Sequence, residues 1–314
     1  MSIFNLTKRN IKMFFKDKGL VLSSLITPLI LIVLYVTFLK NVYVDSFNSA
    51  LQANGVSISN NYINGFVYGW LFSSLIAVSG VTVAFCSNLL MVQDKVTGAI
   101  NDIKMCPVSN KKIAIAYYIA SMLVTMFIVL IEIFIGFIFL AINGWFLSFA
   151  DVIQILVGSF LLVNFGTALS SIIHHFLTTQ GQMSAVGTLV SSVYGFICGA
   201  YMPISQFGIT LQRILGFLPS TYATTFIRDG FEKGVLKSLS TKCSFPDDVI
   251  NSMTKNFDVK VNFFGNTVPS WVSGLVLLGS VVVSLTIYIA ININKIINIS
   301  ININLFFKIK QITN

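Results

Sequence analysis

Six apolar runs decide what this chain can become. They are Leu20–Leu39, Phe66–Val92, Ile113–Ile142, Val152–Ile173, Ser184–Ile204 and Val272–Ile291. Each has about 20 residues or more, and a helix of that length crosses the roughly 30 Å of hydrocarbon in a bilayer. Within lipid, each backbone N–H and C=O must find its partner inside the protein, which selects helices for runs of this kind. Charged residues make up only 10% of the chain and hydrophobic ones 55%, whereas a soluble domain carries about 25% charge. The expectation is an all-α integral membrane protein with six transmembrane helices.

Loop charge orients it. Residues 1–19 hold five Lys or Arg and residues 93–112 hold four, against Lys40 alone in 40–65 and none in 143–151. Short basic loops stay in the cytoplasm, so the N-terminus, the 93–112 loop and the C-terminus are expected there. The long segment 205–271 does not count, because long loops cross regardless of charge. The formal net charge of +9 is dispersed along loops that face anionic lipid, so membrane lipids and no nucleic acid are the expected partners of these cations.

Residues 1–19 are expected to form a helix lying in the cytoplasmic interface. Ile3, Phe4, Ile11, Phe14 and Phe15 share one side, opposite Arg9, Lys12 and Lys16. Pro28 inside the next run, and no small-residue cleavage site near Lys40, favour a retained span over a signal peptide. Between the second and third runs, residues 93–112 concentrate Asp94, Lys95, Asp102, Lys104, Lys111 and Lys112. Gly98 and Pro107 bracket AINDIKMC, long enough for about two helical turns, and Ser109 suits the N-cap of the following helix.

Small residues recur in the second, fourth and fifth runs (Gly80, Gly158, Gly166, Ser184, Gly187 and Ser191 among them), where helices in lipid approach closely. Glu132 is the one carboxylate plainly inside a span, about twenty residues into the third and toward the outer leaflet; it is expected to face the bundle interior. Pro203, Gly208, Gly216 and Pro219 cut 201–234 into pieces suited to re-entrant or interfacial helices, and 235–268 read as a polar extracellular excursion. The insertion 205–271 thus places short extracellular helices before the last span. The Ile/Asn-rich tail, 292–314, is expected to be disordered or interfacial. Cys86, Cys106, Cys198 and Cys243 form no metal spacing, and adjacent His174 and His175 point about 100° apart on a helix, so no metal is expected.

Two motifs, in this order and topology, carry a family resemblance over roughly 1–292. The first is Asp94-Lys-Val-Thr-Gly98 with Pro107-Val-Ser109; the second is Pro203-Ile-Ser205, Leu218-Pro-Ser-Thr-Tyr-Ala223 and Arg228. The chain resembles a permease subunit of the ABC-2 family of ATP-binding-cassette exporters. The family has Arg-Glu where this chain has Gln93-Asp94.

The resemblance implies that residues 94–106 form a coupling helix that docks on a separate ATPase subunit, through Asp94, Lys95, Thr97, Gly98, Ile100, Asn101, Asp102, Ile103 and Lys104. It also implies an extracellular re-entrant motif built on Pro203, Leu218, Pro219, Tyr222 and Arg228. A second permease, identical or paralogous, would pair across spans one, two and five. The location implied is a bacterial plasma membrane. No G-x-x-x-x-G-K-[ST] occurs in the chain, so this subunit is expected to bind no cofactor, with ATP-Mg held by the partner ATPase. The modest outer insertion favours an amphipathic or apolar cargo such as a drug, peptide or lipid, exported by alternating access. The alternative is an ion-coupled secondary transporter, which requires more intramembrane ionisable groups than Glu132.

Overall fold

The computed structural model describes residues 2–45, 59–242 and 247–312. Its helices are α1 (Ile3–Lys16), α2 (Lys18–Leu34), α3 (Asn60–Val96), α4 (Ala99–Met105), α5 (Asn110–Asn143), α6 (Phe149–Phe176), α7 (Gln180–Ile197), α8 (Ile209–Leu215), α9 (Pro219–Lys242), α10 (Asp247–Asn256) and α11 (Ser270–Ile312). A two-stranded antiparallel hairpin, β1 (Asn262–Phe263) and β2 (Asn266–Thr267), precedes α11. A π-helical turn, Tyr35–Leu39, extends α2 and carries the helical path to Asp45.

Among the described residues, five helical stretches are long and apolar enough to cross a membrane: Lys18–Asp45, Asn60–Val96, Asn110–Asn143, Phe149–Phe176 and Ser270–Asn292. The sixth expected span, 184–204, differs. Its helix α7 begins earlier, at Gln180, and stops at Ile197. Gly199 then takes φ +69° and the chain turns back. Gln180, Gln182, Ser184, Thr188 and Ser192 give α7 a polar side.

Helix α3 is the axis of the bundle. Every residue from Gly65 to Val92 is buried, as expected of a helix apolar on all sides. It is walled by α5, α6 and α9. Lipid tails are as apolar as Leu, so close packing and interhelical hydrogen bonds hold such helices together. A Cβ on Gly166 would stand 2.7 Å from the Gly80 carbonyl oxygen, and one on Gly80 would stand 2.8 Å from Leu162. Asn88 Nδ2 donates to Ser171 Oγ at 2.9 Å, tying α3 to α6, and the Ser87 and Ser121 hydroxyls lie 2.5 Å apart between α3 and α5. Each such bond contributes about 0.6 kcal/mol.

Two expected boundaries move. The excursion placed at 235–268 is cut into by α9, one 24-residue helix running from Pro219 to Lys242. Val235 and Leu239 belong to the main core, so α9 is part of the bundle rather than a polar loop. Where a disordered or interfacial tail was expected, the α11 backbone stays helical to Ile312. Cys243 lies outside the described residues.

Candidate functional site

The polar stretch after α3 is bolted to four helices. Thr97 ends α3, with its N–H and its hydroxyl both donating to the Gln93 carbonyl at 2.9 Å. Gly98 adopts φ +82°, and a Cβ there would meet nothing within 4 Å. The glycine therefore serves backbone conformation and not close approach. Its carbonyl accepts from Asn101 N–H at 2.8 Å and starts α4. Pro107 follows the helix, and Ser109 occupies the N-cap position of α5 without a side-chain capping bond.

The helix is shorter than the expected 94–106, because 94–96 still belong to α3. Asp94 is buried, and its carboxylate accepts from both guanidinium nitrogens of Arg9 and from the Tyr117 hydroxyl. Lys95 donates its ammonium protons to the carbonyls of His174, His175 and Leu177 at 2.8, 2.8 and 3.0 Å. These are the orphan carbonyls at the C-terminal end of α6, where a cation also answers the helix dipole. Gln93 donates to Asp17 at 3.1 Å, and Asp17 caps α2. The Asp94 hydrogen bonds push the Arg9 guanidinium above its ordinary range despite burial, and the Gln93 bond lowers the Asp17 carboxyl.

Asp94 and Lys95 thus fasten this end of α3 within the chain. Arg9 turns inward from α1 instead of lying with the solvated cations, while Phe4 and Phe15 point outward. Ile100 and Ile103 also face inward, packed on an apolar cluster that includes Leu6, Phe14, Ile113 and Tyr117. Both are partly buried there. Asn101, Asp102, Lys104 and Met105 form the exposed side of α4, with Met105 85% exposed. The result is a rigid, mostly polar knob at the mouth of the α3–α5 hairpin.

The second motif forms a separate cluster at the other end of α3. Pro203 is buried, Leu218 precedes the helix, Pro219 opens α9 and Tyr222 is buried in its first turn. Arg228 is a hub. Its guanidinium donates to the carbonyls of Phe257 (3.2 Å), Asp258 (3.1 Å) and Gly199 (2.9 Å), and to the Ser74 hydroxyl (2.9 Å). It also sits 4.7 Å from the Trp70 ring centroid. One side chain therefore joins α9, α3, the end of α7 and the segment after α10.

Glu132 is 3% exposed, on the α5 face turned to α3 near Ser79. A second carboxylate, Glu232 on α9, is fully buried against α3 at Gly69. Neither carboxylate has a hydrogen-bond partner within ordinary bonding distance. Glu232 lies in RDGFEKG, at the end of the 201–234 segment expected to form short re-entrant or interfacial pieces, and that reading hid it. Arg9 and Tyr117 were equally missed as partners of Asp94, because only tertiary contact brings three distant segments together. His174 is buried with Nδ1 at 2.7 Å from the Ser170 carbonyl, and no cluster of possible metal ligands occurs among the described residues.

A third feature is a cleft of about 530 Å³ between α2, α3 and α7, lined by Ser23, Thr27, Gln180, Ser184, Thr188 and Ser192. The small-residue face of α7 has no helix against it here; a Cβ on Gly187 would meet nothing within 4 Å. Among curated proteins, none matches the chain. A family model described as ABC-2 type transporter matches residues 1–231.

Proposed function

The chain belongs to the ABC-2 type transporter family, and from that premise we infer that it is the permease subunit of an ATP-driven exporter, worked through α4 by a separate ATPase. As a member it is a multi-pass membrane component of an ABC transporter. The observation that carries the coupling reading is the fastening of α4. Asp94, Lys95 and Gln93 connect its root to α1, α2, α5 and α6, so a push on the exposed Asn101–Met105 face moves these helices together. Rigid-body motion of one half against another is the physical basis of alternating access.

The unpartnered small face of α7 and the cleft beside it support a second permease, identical or paralogous, that meets this one across α2, α3 and α7. The cleft is lined by hydroxyls and apolar stems without a charged cluster, which suits an amphipathic or apolar cargo. The N-terminus, α4 and the C-terminus lie in the cytoplasm in this reading. An impermeant maleimide tests it: a variant keeping only Cys106, which is exposed, is protected in intact cells, and one keeping only Cys243 is labelled. The reverse pattern overturns the orientation. The coupling reading is tested by cross-linking from Cys106: after purification from the native membrane, the captured partner is an ATPase. Two enclosed carboxylates favour the second reading, an ion-coupled transporter, which predicts transport by the chain alone.

A further inference from the structure

The end of the bundle opposite α4 holds a cavity of about 520 Å³ that transport coupling does not use. Its walls are α8, residues 255–261 and the β1–β2 hairpin. Three cations line it, Arg213, Lys255 and Lys260, against one acid, Asp258. Asp258 is already engaged, accepting from the Ser205 N–H at 3.1 Å. Among the described residues, none of the three cations is in an ion pair. Among the described residues, the cavity therefore offers three cationic side chains that no ion pair engages.

The hairpin supplies an apolar wall at some conformational expense. Its register pairs Asn262 with Thr267 and Phe263 with Asn266, leaving a two-residue turn, Phe264–Gly265. Both turn residues have positive φ, +48° and +92°. Such a turn favours Asn, Asp or Gly at its first position, and an aromatic residue there is disfavoured. The side chain it presents is 57% exposed, packs edge-on to Phe263 with centroids 4.8 Å apart, and carries the Arg213 guanidinium 5.5 Å from its ring centre. A cation and an aromatic face are held side by side at the rim.

Depth identifies what reaches this rim. The span of α11 begins at Ser270, three residues after the hairpin. Trp271 is 67% exposed, and Trp anchors at the boundary between headgroups and hydrocarbon. Ile209, Ile214 and Phe217, on and just after α8, are also exposed. The cavity thus sits at headgroup level, with cations in its lining and aromatic rings beside the acyl region.

We propose that this cavity binds the phosphate-bearing headgroup of an anionic phospholipid, with Arg213, Lys255 and Lys260 around the phosphate and the Phe263–Phe264 wall along the first part of the acyl chain. Basic pockets of membrane proteins take anionic headgroups by charge-assisted hydrogen bonds. The site rests on the membrane reading above, in which this end is the outer one, but needs neither the ATPase nor a transport direction.

The test titrates the purified full chain, in delipidated detergent micelles, with dioctanoyl phosphatidylglycerol, dioctanoyl phosphatidylcholine and inorganic phosphate. Binding is read by native mass spectrometry alongside thermal stability. Phosphatidylglycerol should bind about tenfold tighter than phosphatidylcholine, and about tenfold tighter than to the triple variant Arg213→Gln/Lys255→Gln/Lys260→Gln. All three residues are exposed, so the triple variant keeps its melting temperature. Phe264→Asn relieves the turn, so it should raise stability while weakening lipid but not phosphate. Equal phosphatidylglycerol binding by the triple variant overturns the site. Phosphate binding as tight as lipid, with Phe264→Asn silent, overturns the lipid in favour of a small-anion site. Transport assayed on the same variants in the ATPase complex reports on the permease reading separately.

Discussion

Arg9 and Asp94 stand 85 residues apart in sequence and form an ion pair. The pair closes α1 onto the C-terminal end of α3 and is extended by the Tyr117 hydroxyl from α5. Because Asp94 is buried, removing its cation leaves an uncompensated charge. Arg9→Gln should cost about 3 kcal/mol, and Tyr117→Phe about 1 kcal/mol. Thermal unfolding of single and double variants measures both. A double-mutant cycle between Arg9→Gln and Asp94→Asn should show strong coupling; additive losses would mean the two side chains do not act as a pair.

The turn at Gly98 makes a graded prediction. Its φ of +82° with open space around the missing Cβ means that substitution strains the backbone without a clash. Gly98→Asn should be tolerated, and Gly98→Ala should cost about 1 kcal/mol. Gly98→Val should be worse, because β-branched residues resist this conformation. ATP-dependent transport of the complex should fall in the same order. A flat series would show that the turn's geometry does not matter to coupling.

The membrane character and the helical class were legible because apolar runs of this length have few other solutions. The position of α4 was legible too, since Gly98 and Pro107 punctuate the chain locally. What was not legible depended on tertiary contact. Asp94 and Lys95 look like solvated loop charges in sequence, yet one pairs with Arg9 and the other caps α6. Ile100 and Ile103 look like loop residues, yet both pack, partly buried, on the α1–α5 cluster. Helix α9 spans the expected break between re-entrant pieces and polar excursion, and its Arg228 and Glu232 are buried because α3 offers Trp70, Ser74 and Gly69 opposite them.

Arg228 should be intolerant of change. Its guanidinium satisfies three carbonyls and a hydroxyl from three other segments. Arg228→Lys keeps the charge but cannot reproduce the planar fork, and Arg228→Met strands these acceptors. A loss of about 3–5 kcal/mol is expected for Met, read as reduced folded yield and melting temperature. Trp70→Phe, which loses the indole bond to the Phe257 carbonyl, should cost about 1 kcal/mol.

Glu132 and Glu232 are each enclosed against α3 without a hydrogen-bond partner. Such carboxylates are more easily housed neutral than charged. Glu132→Gln and Glu232→Gln should therefore fold normally and transport within about twofold of the parent, and Glu132→Leu should not lower stability. Transport abolished by Gln, with melting temperature unchanged, would assign a protonation step to that residue and favour the ion-coupled reading.

The most direct measurement is ATP-driven transport by the permease–ATPase complex from the native membrane, reconstituted with Asp102→Lys and Met105→Glu in the permease. Both side chains lie on the exposed face of α4, so the variant should insert and melt like the parent. The account predicts that ATP-driven transport falls by about tenfold or more and that the ATPase no longer co-purifies. Transport by the variant complex at the parent's rate, or transport by the chain alone down an ion gradient, would contradict it.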